Sequence, residues 1–206
     1  MEMEKMPKEQ TADNNTLDNV VRNTILPYLK DLSKILIVIL IVFLFCFRIA
    51  IVEGSSMYDT LVDGDYLLLL NHVLDGDPEY GDIVVISKSA YKDGEPIIKR
   101  VIATEGQEID IDFSTGVVTV DGVPLDEPYI SSETIQIISS MTFPLTVDEG
   151  CLFVMGDNRS GSLDSRSQII GLIDSREIVG TAIFVLFPGN DDGNVERQFD
   201  RIGAIS

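Results

Sequence analysis

Two adjacent serines, Ser55 and Ser56, follow the most hydrophobic run of the chain in the stretch EGSSMYDTL (53–61). A serine hydroxyl is a poor nucleophile unless a nearby base takes its proton. No histidine lies close to these serines in sequence, so any base must come from another segment. Ser56 is therefore a candidate nucleophile only if the fold supplies that base. Without one, the two serines are a solvated turn.

A candidate base lies in IIKRVI (97–102), where Lys99 and Arg100 interrupt an otherwise apolar strand. Because side chains alternate between the two faces of a strand, one of the pair must point toward the buried face. Burial disfavours the charged ammonium and lowers the pKa of a lysine from about 10.4 toward neutrality, which gives an amine able to act as a general base. The alternative is an edge strand whose lysine reaches solvent.

A third segment, MGDNRSGSLDSR (155–166), follows an apolar strand and carries two aspartates, two arginines and three serines. An acid-rich turn with local salt bridges is the simple interpretation. A turn does not need so many hydrogen-bonding groups, so the density of polar side chains favours a supporting role in a site.

Composition excludes several other kinds of site. The charge of −19 argues against a nucleic-acid partner, because phosphate binding depends on clustered Lys and Arg. The two cysteines, Cys46 and Cys151, are too few for a disulfide framework or a cysteine zinc site, and we expect both to be free thiols. His72 is the one histidine, which excludes an HExxH site and leaves a single candidate for a Ser-His-Asp triad.

The elements that must position these residues begin with an apolar run, ILIVILIVFLFCFRIAIV (35–52), interrupted only by Arg48. As a helix this run would be about 27 Å long, close to the roughly 30 Å of a bilayer core. It predicts one transmembrane helix over 35–52, with Arg48 reaching the headgroups. A buried core helix and the apolar part of a cleaved signal peptide are the alternatives.

Basic residues give this helix an orientation. Arg22, Lys30 and Lys34 precede the run, whereas no Lys or Arg follows Arg48 until Lys88. The positive-inside bias places residues 1–34, a polar and largely flexible tail, in the cytoplasm and residues 53–206 outside the cytoplasmic membrane. The prediction is a single-pass protein with its amino terminus inside.

The region after the run reads as β structure. Short apolar or alternating segments are separated by Gly, Pro and Asp, as in strands joined by turns. The predicted strands are 64–71, 81–87, 96–103, 108–113, 116–122, 134–138, 151–156 and 178–188. Apart from a short turn near 162–170, no helix is predicted. The fold class is mainly β, with coiled or barrel-like antiparallel sheets.

Together these segments resemble the bacterial type I signal peptidases, which are membrane-anchored serine peptidases with a Ser/Lys dyad. Four blocks stand in the order of that family: GSSMYDTL, then GDYLLLLN with GDIVVIS, then IIKRVI, then MGDNRSGSLDSR. The resemblance covers most of residues 35–190. It implies a coiled antiparallel β-sheet catalytic domain and removal of signal peptides at the outer face of the membrane, after small residues at positions −1 and −3. It implies no cofactor or metal. The expected partners are exported preproteins and membrane lipid, with the export machinery as a further candidate.

The resemblance also implies a role for individual positions. It makes Ser56 the nucleophile and Lys99 the general base. The supporting residues are Ser162, which matches the serine that hydrogen-bonds the lysine amine, and the bracing pair Asp164 and Arg166. The substrate-binding residues are Met57, Gly54, Asp82 and Ile83.

Several positions depart from the family pattern. Asp59 replaces the usual proline, which removes a fixed φ after the nucleophile. Gly161 replaces the usual asparagine, and ATEGQ (103–107) replaces a stretch that commonly ends in Pro-Gly-Asp. Gly54 stands where some relatives place an oxyanion-hole serine, so the backbone N–H of Ser56 would carry more of that stabilisation.

Two other functions stay open from the residues. One is a Ser/Lys peptidase with a narrow substrate set, or one that cleaves itself as repressor-type relatives do. The other is an inactive, membrane-anchored β domain that binds peptides. Retention of Ser56, Lys99, Ser162 and Asp164 together argues against the second, because a binding module needs none of them.

Overall fold

The computed structural model describes residues 21–89, 91, 94–134, 141–190 and 198–205. The chain divides into two compact units, Met1–Phe45 and Cys46–Ser206. Most of the predicted flexible tail, residues 1–20, lies outside the described residues, and so do residues 135–138 of the predicted strand 134–138.

The apolar run is divided between a helix and a strand. One π-helical turn (Val21–Ile25) leads into helix α1 (Leu26–Cys46), and strand β1 (Phe47–Ile51) follows directly. The predicted helix over 35–52 is therefore wrong after Cys46. The reason is pairing, because β1 forms an antiparallel ladder with the next strand from Phe47↔Leu70 to Ile51↔Tyr66. Among the helices of the described residues, none is both long and apolar enough to cross a membrane.

The larger sheet of the second unit is antiparallel throughout, in the order β1-β2-β11-β3-β4-β9-β10, with β12 paired to β11. The strands after β1 are β2 (Tyr66–Asn71), β3 (Ile83–Ile86), β4 (Ile97–Thr104), β9 (Cys151–Met155), β10 (Ile173–Asp174), β11 (Ile178–Phe187) and β12 (Gly203–Ala204). A short helix α2 (His72–Asp75) follows β2, and 3₁₀ turns cover Ser175–Glu177 and Phe199–Arg201.

A smaller antiparallel sheet has the order β7-β6-β5-β8, with β5 (Glu108–Asp112), β6 (Val117–Val120), β7 (Val123–Pro124) and β8 (Leu145–Thr146). Its apolar face packs on β4 and β9, where Ile109 and Val118 share a buried cluster with Ile102 and Phe153. The mainly β, antiparallel fold class is confirmed, and so are the predicted strands that lie within the described residues.

A second buried cluster anchors the region that carries the serines. Met57 and Leu61, which flank the turn after Ser56, are 1% and 0% exposed. They pack with residues of β2, β3 and β11, among them Leu67, Ile83 and Ala182. Full burial of such an aliphatic side chain contributes about 1.5–3 kcal/mol. The apolar residues next to Ser56 thus fix the turn to the sheet.

Candidate active site

Ser56 lies on a turn between β1 and β2, closed by backbone hydrogen bonds. Val52 donates to Asp65 O at 2.9 Å, and Leu61 donates to Met57 O at 2.8 Å. Gly54 adopts a φ of +81°, a conformation that favours glycine, and donates its N–H to the carboxylate of Asp63 at 2.7 Å. This turn fixes the backbone on both sides of the candidate nucleophile.

Lys99 lies on β4 between β3 and β9, and its side chain meets the serine turn. The Nζ atom donates to Ser56 Oγ at 2.7 Å and to Ile98 O at 2.7 Å, and the residue is only 3% exposed. Burial lowers the pKa of Lys99 from 10.5 to about 8, against the opposing attraction of the Asp164 and Asp157 carboxylates. About a tenth of the amine is then neutral at pH 7. The structure brings the predicted nucleophile and base together.

Asn158, which was not predicted from the sequence, also holds the serine turn. Its N–H donates to Ser56 O at 3.1 Å, and its Nδ2 donates to Ser55 O at 3.1 Å. The residue belongs to the polar segment 155–166, so composition located the right segment. The pairing with a turn about 100 residues earlier in the chain could not be predicted from composition.

Ser162 lies beside this arrangement without the predicted bond to the lysine amine. Its hydroxyl is buried and has no hydrogen-bond partner within the described part of the chain. A Cβ placed on Gly156 would lie 2.3 Å from Ser162 Oγ and 2.4 Å from Ser56 O. The Ser162 hydroxyl therefore packs against the backbone of Gly156, close to the carbonyl of Ser56, and the predicted hydrogen bond to Lys99 is wrong for this structure.

Asp164 and Arg166 form a buried ion pair, as the bracing role implies. Arg166 Nε donates to Asp164 Oδ1 at 2.8 Å, and Nη2 donates to Oδ2 at 2.8 Å. Asp164 also accepts from the N–H of Gly156 at 3.0 Å, and Arg166 reaches Arg159 O at 2.7 Å. The pair connects the two ends of the 156–166 segment around Ser162.

A second buried pair, Arg100 with Asp157, went unassigned in the sequence analysis. Arg100 donates through Nε to Asp157 Oδ1 at 2.9 Å and through Nη2 to Oδ2 at 2.8 Å, and its guanidinium lies 4.0 Å from the ring centre of Tyr129. Asp157 also accepts from the hydroxyl of Thr60 at 2.5 Å. Strand alternation predicted that one of the neighbours Lys99 and Arg100 points toward the buried face. In the structure both residues are buried.

A cleft of about 570 Å³ opens at the Ser56–Lys99 contact. Two of the predicted substrate-binding residues, Met57 and Gly54, line it. Asp82 and Ile83 are not among the residues that line it. Ile83 is 2% exposed within the core cluster, and the Asp82 carboxylate accepts from the N–H of Glu79 at 2.9 Å. Arg48, predicted to reach lipid headgroups, instead lies on β1 and lines the cleft.

The backbone N–H of Ser56 is an available donor for an oxyanion. Gly54 has no side chain to donate, and its N–H is already bonded to Asp63. The N–H of Ser56 donates no hydrogen bond within the described residues. It is therefore free to stabilise a negatively charged oxygen that forms next to Ser56 Oγ.

His72 starts α2 and is not among the residues that line the cleft. A Ser-His-Asp triad at Ser56 is therefore not formed. Within the described ranges, no three His, Cys, Asp or Glu side chains are grouped so as to hold a metal ion. Cys46 and Cys151 are both free thiols.

Comparisons with known proteins show which family this chain is similar to. Residues 25–187 match the family model described as "Signal peptidase, peptidase S26". Signal peptidase I T of Bacillus subtilis is 34% identical over 195 residues, which cover 90% of this chain and 97% of the relative. Signal peptidase I of Bacillus amyloliquefaciens is 39% identical over 156 residues, 71% of this chain and 77% of the relative. A crystal structure of a signal peptidase I from Enterococcus faecalis is 28% identical, covers 52% of this chain and 97% of that chain, and superposes with a TM-score of 0.43.

Proposed function

This chain belongs to the signal peptidase family, peptidase S26, and we propose that it cleaves with Ser56 as nucleophile and Lys99 as general base. As a member of that family, it is a serine endopeptidase that removes signal peptides from exported preproteins. The observation that carries the assignment of residues is the 2.7 Å separation of Lys99 Nζ and Ser56 Oγ.

The reaction follows from that contact. Neutral Lys99 takes the Ser56 proton as Oγ attacks the scissile carbonyl carbon. The ammonium then gives the proton to the leaving amine, and an ester between Ser56 and the signal peptide remains. A water molecule, deprotonated by the same amine, hydrolyses this ester and releases the signal peptide.

The developing oxyanion is stabilised by the backbone N–H of Ser56. Gly54 adds no side-chain donor. The carbonyl of Ser55, which belongs to the same peptide as this N–H, accepts from Asn158 Nδ2 at 3.1 Å, and this contact supports the orientation of the donor peptide.

The substrate binds extended in the cleft, where main-chain groups bond its backbone and alternate side chains enter apolar depressions. Small residues are required at positions −1 and −3 of the substrate. The cleft lining supports apolar side chains there, because Ile98, Val85 and Leu69 are among the residues that line it. An alanine-to-phenylalanine change at position −1 of the substrate should stop cleavage.

We propose that the enzyme is a single-pass protein of the cytoplasmic membrane with its amino terminus inside. The apolar side chains from Ile35 to Phe45 are exposed along α1, and Lys30 and Lys34 precede them. Membrane lipid and the export machinery are then its further partners. Protease added to intact cells should degrade the region after Glu53 and leave an epitope within residues 1–20 protected. Degradation of that epitope instead would contradict the orientation.

The assignment of residues is tested by cleavage of a model preprotein. Ser56→Ala and Lys99→Ala should each abolish processing, whereas His72→Ala should leave it nearly intact. Equal damage from His72→Ala and Lys99→Ala would contradict the dyad. Full processing by Ser56→Ala would contradict the role of Ser56 as the nucleophile.

A further inference from the structure

Arg201 lies near the carboxyl end of the chain, beyond the residues 25–187 that match the family model. It nevertheless binds the segment that carries the nucleophile. Arg201 Nη1 donates to Asp65 Oδ1 at 3.0 Å and Nη2 donates to Asp65 Oδ2 at 2.7 Å, a two-point contact. The same Nη2 donates to the carbonyl of Thr60 at 3.2 Å.

Asp65 is the residue on which the serine turn closes. It is 0% exposed, and its Oδ2 accepts the N–H of Val62 at 2.8 Å while its Oδ1 accepts the N–H of Gly189 at 2.6 Å. A buried carboxylate needs a compensating charge, and the salt bridge to Arg201 provides it. The guanidinium thus neutralises the charge on which the closing hydrogen bonds of the turn depend.

The contact at Thr60 connects Arg201 to the rest of the site. The Thr60 hydroxyl donates to Asp157, which is bonded to Arg100. The residue next to Asp157, Asn158, donates to the carbonyl of Ser56. Both ends of the turn from Ser56 to Asp65 are therefore held, one by Asn158 and the other by Arg201.

We infer that Arg201 is a positioning residue, which holds the turn Ser56–Asp65 so that Ser56 Oγ stays within hydrogen-bond distance of Lys99 Nζ. The inference rests on the proposed function, since it gives the carboxyl-terminal segment a role in the same reaction. A displacement of about 1 Å between reacting groups can cost about 100-fold in rate. A loosened turn should therefore lower the rate of the chemical step before it affects substrate binding.

The test compares Arg201→Ala, Arg201→Lys and Asp200→Ala in the full-length enzyme, with the concentration of active sites titrated by a serine-acylating inhibitor. Asp200 is exposed in the same turn and is the matched control. Arg201→Ala should lower kcat per titrated site at least about tenfold with KM within about twofold. Arg201→Lys, which keeps the charge but loses the two-point contact, should fall between Arg201→Ala and wild type.

The pH dependence of kcat/KM distinguishes a positioning role of Arg201 from a purely structural one. A looser turn admits water to Lys99, so the pKa seen in kcat/KM should rise from about 8 toward 10.5 in the Arg201 variants. If kcat per site and the profile stay those of wild type in Arg201→Lys and Arg201→Ala, the inference is overturned. If Arg201→Ala does not fold, the inference is tested with Arg201→Lys alone, by its kcat per titrated site and by the pKa in its pH profile of kcat/KM. Ser56→Ala, measured in parallel, must be inactive; activity there would instead contradict the proposed function.

Discussion

Lys99 Nζ lies 2.7 Å from Ser56 Oγ although three strands, β2, β11 and β3, separate β4 from β1 in the sheet. Neighbouring strands are about 4.8 Å apart, so a flat sheet would place β1 and β4 about 19 Å from each other. Both strands instead line one cleft, β1 through Ile51 and β4 through Ile98. The turn after β1, which carries Ser56, therefore reaches Lys99 on a strand that is not a neighbour of β1.

Burial of Lys99 should lower the free energy of unfolding, although the same burial makes the amine a better general base. The pKa of about 8 in the folded protein lies below the ordinary 10.5, so below pH 8 the folded state pays for burying a charge that the unfolded state keeps in water. Lys99→Met should be inactive and, at pH 7, more stable by about 3 kcal/mol.

Urea unfolding of both proteins from pH 7 to pH 10.5 provides the measurement. The advantage of Lys99→Met should shrink between about pH 8 and 10.5, where the wild-type amine becomes neutral in both states. The difference between the two curves isolates Lys99, since other groups titrate in both proteins. A Lys99→Met protein less stable than wild type at pH 7 would contradict the cost of burial.

Ser162 and Lys99 carry complementary groups that are not bonded to each other in this structure. Within the described residues, Nζ donates to Ser56 and Ile98, and the buried Ser162 hydroxyl has no partner. We expect the Ser162 hydroxyl to accept from the ammonium once Ser56 Oγ has left Lys99 to attack the substrate. Ser162→Ala should then lower kcat by about tenfold or more.

The matched control is Ser167→Ala, directly after the same segment; the Ser167 hydroxyl accepts from the N–H of Ile169. It should keep kcat near the wild-type value. Equal kcat values for Ser162→Ala and wild type would show that the Ser162 hydroxyl is only a packing group.

The Arg100–Asp157 pair should be essential for stability, because both side chains are almost fully buried. Removal of one member leaves the other charge buried and unpaired, so Arg100→Gln should lower the free energy of unfolding by about 3–5 kcal/mol. Arg176→Gln removes a guanidinium from an ion pair whose arginine is 87% exposed, and should change stability little. Similar losses in the two variants, measured by urea unfolding, would contradict this distinction.

Gly156 should tolerate no side chain. An added Cβ would approach Ser162 Oγ to 2.3 Å and Ser56 O to 2.4 Å, so Gly156→Ala must displace the peptide that carries the nucleophile. We expect loss of processing and destabilisation of about 1–3 kcal/mol. Gly203→Ala, where a Cβ meets nothing within 4 Å, is the control and should behave as wild type. Normal processing by Gly156→Ala would refute the close packing at Ser56.

Local patterns in the sequence predicted the strands, and the family resemblance selected the residues of the dyad. Alternation and turn residues located β2 to β6, whereas alternation predicted burial of only one of Lys99 and Arg100, and both are buried. The run 35–52 misled, because β1 continues the apolar composition of the helix before it, and only the pairing with β2 distinguishes strand from helix. The pairings of Asn158 with the serine turn and of Arg201 with Asp65 join segments far apart in the chain. No local pattern encodes these pairings.

The most direct test of the Ser56–Lys99 dyad is the rate at which a penem-like inhibitor acylates Ser56, measured by mass spectrometry as a function of pH. Neutral Lys99 is the base, so the rate should rise with pH through about 8 and fall away in mild acid, with the adduct on the peptide that contains Ser56. Lys99→Ala and Ser56→Ala should form no adduct. An adduct on another serine would contradict the nucleophile, and a maximal rate near pH 5 would indicate a carboxylate base such as Asp164 in place of Lys99.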